Sequence, residues 1–145
     1  YQGYVVRAQV SEGLSLASAA KTAVVDTFTA TTTGAIVGYA GTGAPVPGSY
    51  AYEYSAGTKV ASIVIGGIAD VAAPVANEAR ITINYAGSLA AVLVSPLVLT
   101  PGSGTVTNNA NPSSPLVTGA PVVWGCGIAT SASYRFVPAN CRYAP

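Results

Sequence analysis

The chain contains no histidine. Neither a Ser–His–Asp nor a Cys–His nucleophile system can be built without one. Two cysteines and no histidine also exclude the usual four-ligand zinc site, and nothing in the composition calls for a cofactor. Charge is scarce as well: 8% of residues are charged and the formal net charge is +1. The clustered lysine and arginine that nucleic acid requires are missing, and no run of like charge marks a disordered tail. No apolar run is long enough to span a bilayer. The longest, Leu89 to Leu99, is broken by Ser95 and Pro96. The chain has no methionine and no leader pattern. It starts at Tyr1, inside what reads as a helix, as a processed or cut fragment would.

What is present fits one domain, residues 1–145, with enough chain to bury roughly two-thirds of its unfolded surface. Cys126 and Cys141 bracket 14 residues. Two readings of this pair stand: a disulfide, natural in an oxidising compartment and worth about 3 kcal/mol on the chain-entropy model, or two buried thiols. The loop between them offers Ser131, Ser133, Tyr134 and Arg135 to a partner. Of the five acids, Asp70 and Glu78 flank one loop and form the sole candidate two-carboxylate arrangement. Solvated surface carboxylates are the plainer reading. Gly38, Gly41 and Gly43 lack the lysine and following helix of a phosphate loop. Trp124 beside Cys126 reads as core packing before ligand platform.

Residues 6 to 28 form a long helix. At about 100° per residue, Val6, Val10, Leu14, Ala17, Ala20, Val24 and Phe28 share one stripe. Ser11, Ser15, Ser18 and Thr22 form a polar strip beside it. A second apolar line runs through Val5, Ala8, Leu16, Ala19 and Ala23. A surface helix needs only one apolar stripe, so the second implies another cover: a loop of the same chain or another subunit. Lys21 falls within the first stripe and must snorkel outward along its stem. The helix stops between Phe28 and Thr33, where β-branched threonines precede Gly34.

Residues 30 to 57, rich in Gly, Pro and Thr, read as a long surface connection, with a short extended piece at Tyr50, Tyr52 and Tyr54. Alternation predicts strands at 59 to 66 and 79 to 86. A turn at 86 to 88 leads to a third apolar run at 89 to 99, which Pro96 demotes to an edge or bulge. A loop follows at 101 to 121. A last strand at 121 to 129 places Val122, Trp124, Cys126 and Ile128 on one face. One long helix followed by an antiparallel sheet is an α+β domain. Thr27, Thr29, Thr31, Thr32, Thr33, Ser113 and Ser114 are candidate O-glycosylation positions in hydroxyl-rich segments. The Asn-x-Ser/Thr acceptor pattern fails at Asn111, because Pro112 follows it.

The segment "YQGYVVRAQVSEGLSLASAAKTAV" resembles the part of type IV (type a) major pilins that follows their hydrophobic anchor. Tyr1, Gln2, Tyr4, Arg7, the Ser11–Gly13 triplet and the alanine-rich run to Lys21 carry that likeness. "TKVASI" at 58 to 63 resembles the entry to the family's first strand. "VVWGCG" and "FVPANCR" resemble the two halves of its C-terminal disulfide loop, with Cys126 and Cys141 as the pair. Residues 34 to 57 and 101 to 120 match nothing in the family pattern. The N-terminal phenylalanine that is methylated in the family, the acidic residue near it and the anchor helix are absent, as in an N-terminally truncated soluble form.

The resemblance implies a pilin fold: a long helix on a four-stranded antiparallel sheet, closed by a disulfide loop. It also implies a structural, non-enzymatic subunit of an extracellular filament. The subunit waits in the inner membrane through its anchor, then polymerises with its own copies under the pilus assembly machinery. Such filaments adhere to host-cell or abiotic surfaces, drive twitching motility and in some members take up DNA. Val5, Ala8, Leu16, Ala19 and Ala23 are then the helix face that packs in the filament. Two other classes compete. One is a minor pilin or secretion pseudopilin, against which the cysteine pair counts. The other is a free-standing surface- or carbohydrate-binding module acting through Trp124 or the tyrosines at 50 to 54.

Overall fold

The computed structural model describes residues 2–145. Tyr1, one of the residues carrying the resemblance, lies outside the described residues. Helix α1 (Gln2–Ala30) has no interior proline and buries the expected stripe: Val6, Val10, Ala17, Ala20, Val24 and Phe28 are all inside. Leu14 is partly covered against the same core. Burying each of the larger side chains contributes roughly 1.5–3 kcal/mol. Gly13 is buried for a steric reason. A Cβ there would come 2.5 Å from the ring and hydroxyl of Tyr85, whose phenol lies across the helix and donates to the Val10 carbonyl at 2.9 Å. The helix ends as Thr31 turns its N–H and hydroxyl back to the Thr27 carbonyl. Gly34 then takes φ +87°, a conformation that β-branched residues resist.

Four antiparallel strands, β1 (Val60–Ile65), β2 (Ile81–Tyr85), β3 (Leu97–Gly102) and β4 (Val123–Ile128), pair in sequence order. Ile63 faces Ile83, Ile81 faces Leu99, and Leu97 faces Ile128 across the ladders. The register sets these apolar side chains on one face, against α1, as the alternation of β1 and β2 requires. On β4 the pattern differs from the expectation in degree. Cys126 and Ile128 are buried, whereas Val122 and Trp124 are only partly covered.

Three expectations are corrected. The run at 89 to 99 is not one strand. Residues Gly87–Leu93 form helix α2, and β3 begins only after Pro96. Leu89 and Leu93, four apart, bury one helical face, a period hidden in a run that is apolar throughout. After α2, Val94 takes φ +69° and the Ser95 N–H bonds the Leu93 carbonyl at 2.8 Å, a tight three-residue turn of the strained kind.

The segment at 30 to 57 is not merely a surface connection, because Ile36, Tyr39 and Tyr50 are buried. Ile36 pairs with Ile68, and Tyr39 with Ile65, so this segment lies along the outer edge of β1. Its tyrosines pin it down. The Tyr39 hydroxyl donates to the Gly43 carbonyl and accepts from the Tyr54 N–H, while Tyr54 donates to the Val60 carbonyl.

The loop at 101 to 121 also lies on the fold, with Ala110 and Leu116 buried. It crosses the outer face of β3 and β4 over a row of glycines. Cβ atoms at Gly102 and Gly125 would overlap the Ser114 and Ala110 carbonyl oxygens, and one at Gly127 would come 2.6 Å from the Tyr143 carbonyl oxygen. Arg80 ties the loop down from β2's side, donating to Thr100 and to the Asn111 side-chain carbonyl at 2.8 Å.

Two buried phenols give the fold a pH dependence. Tyr50 donates to the Gly66 carbonyl at 2.7 Å and Tyr85 to that of Val10. Burial pushes both pKa values well above the ordinary 10.0, helped at Tyr50 by the Glu78 carboxylate. In the unfolded chain these phenols ionise near the ordinary value, while in the folded chain they keep their protons. Their stabilising contribution is therefore complete below pH 10.0 and is lost as pH rises through the higher folded values. Burial lowers the Lys21 pKa, which acts in the opposite sense, but that side chain is only partly covered. The melting temperature is expected to fall steadily above pH 10.0. Tyrosinate absorbance from Tyr50 and Tyr85 should appear only with unfolding, and early titration of both would contradict this account.

Candidate functional site

The side of α1 turned away from the sheet is the first candidate. Tyr4 is 73% exposed and Leu16 42% exposed, with Ala8, Ser15, Ala19 and Thr22 exposed around them. Of the second apolar line expected from the sequence, Ala8, Leu16 and Ala19 face solvent and Val5 is half-covered. Ala23 departs from that face: it is buried within the chain's own fold. The segment around Tyr50 runs beside this end of the helix, as the Ala51 N–H to Thr27 Oγ1 bond of 3.4 Å shows. The chain's own segment approaches the C-terminal end of the helix, and from Tyr4 to Thr22 this side keeps exposed small and apolar residues.

The second candidate is the C-terminal loop. Cys126 and Cys141 form a disulfide with Cα atoms 4.5 Å apart, which decides between the two readings of the pair. Both half-cystines are buried. Inside the loop, Ser131–Phe136 form a 3-10 helix and Ala139–Cys141 a second, shorter one. Ser131 and Arg135 are exposed and Tyr134 is partly covered. Ser133 is withdrawn from any partner, because it is buried and its hydroxyl donates to the Leu93 carbonyl at 2.6 Å. Ser95 and Thr130 share a further hydroxyl bond, fastening the loop to the turn after α2.

Lys21 does extend from the inner stripe. Its ammonium lies 5.7 Å from the centroid of the Trp124 ring, and burial lowers its pKa. Trp124 packs partly against the core, as expected, with a cation over its face. The carboxylates of the 69–78 loop serve its backbone. Glu78 accepts from the Ala69 and Val75 N–H groups at 2.8 and 2.7 Å, and Asp70 from that of Ala72 at 3.0 Å. They are loop ties, engaged with backbone rather than simply solvated.

Of the hydroxyls singled out for sugar, Thr29, Thr32, Thr33, Ser113 and Ser114 are exposed, while Thr27 and Thr31 are partly covered. The Ser113 hydroxyl is engaged by the Thr105 N–H at 3.0 Å. Among the described residues no group of His, Cys, Asp or Glu could hold a metal, and no helix is long and apolar enough to cross a membrane.

Sequence reasoning missed the glycine row under the 101–121 loop and the tyrosine pins of the 30–57 segment. The signals were present: alternate glycines at outward positions of "WGCG", and tyrosines set among glycines and prolines.

A family model described as Pilin (bacterial filament) matches residues 6–142, covering α1 from Val6 onward, the whole sheet and the disulfide. No curated protein and no solved structure matches the chain.

Proposed function

The chain belongs to the pilin family, and from that premise we propose that it builds a type IV pilus through the exposed half of α1. The observation that carries this is the helix itself. One face is sealed into its own sheet, and the other presents Tyr4, Ala8, Leu16 and Ala19 to solvent. Small side chains let helix axes approach closely, and apolar ones reward burial on contact. Neighbouring copies are the occupant that a filament supplies.

On this reading an anchor helix precedes the residues seen here and holds the subunit in the inner membrane until the assembly machinery extracts it. Adhesion to host-cell or abiotic surfaces, twitching motility and DNA uptake follow from the filament. The exposed Ser131 and Arg135 of the disulfide loop are its candidate contacts with a surface. The low charge and the absence of histidine favour a building block over an enzyme.

Leu16→Arg in the producing bacterium tests the reading. The position is exposed in the subunit, so the variant should accumulate as folded protein. Filaments seen by electron microscopy should be lost, and surface attachment and spreading motility should go with them. Normal filaments from the variant, or normal filaments after deletion of the gene, would reject the proposal.

A further inference from the structure

A cleft of about 650 Å³ opens where the first turns of α1 meet the α2–β3 turn and the 3-10 helix Ser131–Phe136. Its apolar wall is formed by Val92, Val94, Ala132 and Phe136, over the bare backbone of Gly3. Two guanidiniums, those of Arg7 and Arg135, also line it, and among the described residues no carboxylate does. The volume lies in the range of small-molecule sites, and so does the balance of apolar wall to few charged groups.

The two cations border the same apolar wall. Arg135 stacks over the Phe136 ring, its guanidinium carbon 4.6 Å from the centroid. A Cβ on Gly3 would meet Arg7 Nη2 at 3.8 Å and Phe136 Cε1 at 3.9 Å. Arg7 is fixed through Nε, which donates to the Gly3 carbonyl at 3.3 Å, leaving the terminal Nη pair for a ligand. Ser133 lines the cleft too, but its hydroxyl is engaged by Leu93.

The rim carries a further mark. Val94 is 72% exposed and sits at φ +69°, a strained position for a β-branched residue. Strain of this kind is a feature of ligand clamps as well as of tight turns. Here it holds an isopropyl group at the mouth of the cleft.

Guanidiniums held in place, one by stacking and one through its Nε, suit the oxygens of phosphate or carboxylate. An inorganic anion alone would leave the Val92, Val94 and Phe136 wall uncovered. A neutral apolar molecule would leave two cations without a counter-charge. We propose that this cleft binds a monomeric amphipathic anion, a phosphate or carboxylate head on an aliphatic tail, with the head between Arg7 and Arg135 and the tail along Val92, Val94 and Phe136. The site belongs to the isolated subunit, so the proposal does not depend on filament assembly.

The test is titration of the chain with octyl phosphate, followed by NMR on the arginine Nε–H groups and by calorimetry. Saturable binding is expected, at least about tenfold tighter than inorganic phosphate or octyl glucoside, a difference of about 1.4 kcal/mol. Arg7→Gln and Arg135→Gln should each weaken it about tenfold, the loss expected for a charge-assisted hydrogen bond. Gly3→Leu, which fills the cleft while favouring the helix, should abolish binding without lowering the melting temperature. Equal affinity for octyl glucoside, unchanged affinity in both arginine variants, or full binding by Gly3→Leu would each overturn the site. Co-sedimentation with phosphatidylglycerol vesicles without octyl phosphate binding would assign the cations to a membrane surface, and would overturn it too.

Discussion

Cys126→Ser is expected to lower the stability of the folded subunit by about 2–5 kcal/mol. The cross-link closes the chain from β4 to its C-terminal segment, and both half-cystines are buried. The loss therefore has two sources. The unfolded chain regains the freedom of the closed loop, and the folded chain must house a hydroxyl and a thiol where an apolar bridge sat. At about 2–4 °C per kcal/mol for a domain of this size, the melting temperature should drop by roughly 10 °C. Thermal unfolding of the wild type in strong reductant should approach the same value. Equal melting temperatures for oxidised wild type and variant would contradict the assignment of structural weight to this bond. The loss should also be felt at a distance. The 3-10 helix Ser131–Phe136 is held from both sides, by the bridge and by the Ser133 hydroxyl on the Leu93 carbonyl. Freeing one side should raise amide exchange in the turn after α2.

Gly125→Ala is expected to cost about 3 kcal/mol or more, although it adds a single methyl group. The new Cβ would overlap the Ala110 carbonyl oxygen and crowd the Asn111 nitrogen, and backbone cannot swing aside as a side chain can. The loop must lift off β4. Exchange protection should then vanish at the paired Ser103 and Ser114 amides, which now bond each other's carbonyls at 3.0 and 3.2 Å. Gly57→Ala makes the control. Its Cβ would meet only the Tyr54 hydroxyl, at 3.5 Å, and the Val60 carbonyl oxygen, at 3.8 Å. That variant should change stability by less than about 1 kcal/mol. Similar losses in the two variants would show that the close approach at Gly125 is not what matters.

How much of this was legible in the sequence depends on periodicity. The helix announces itself because Val6, Val10, Ala17, Ala20, Val24 and Phe28 repeat at the helical period, with Lys21 the one charge set among them. Strands β1 and β2 alternate along most of their length, and their register follows. Helix α2 was hidden because Leu89 to Leu99 is apolar almost throughout, and a run without contrast has no period to read.

The buried role of Tyr39 and Tyr50 was hidden for a different reason. Glycine and proline mark a segment as loop, and composition alone does not tell a loop lying on solvent from one lying along a strand edge. The outward half of α1 was legible as a second apolar line. The burial of Ala23 was not, because periodicity places it on the outward line and does not show which parts of the fold lie beside it. The Arg7 and Arg135 cleft lies further beyond reach of sequence, since its walls come from three separate parts of the chain.

The placement of Tyr39 beside Ile65 and of Tyr143 beside Ile128 has a further meaning. The β1 edge is lined by the chain's own backbone, and the β4 edge is met at its last residue, Ile128. A subunit stored at high density therefore offers its neighbours less open ribbon on which to template a cross-β stack. On the proposed reading, self-association falls to the helical side, where side chains make the contact. A polymer built that way needs components that crowd together without fusing strand to strand.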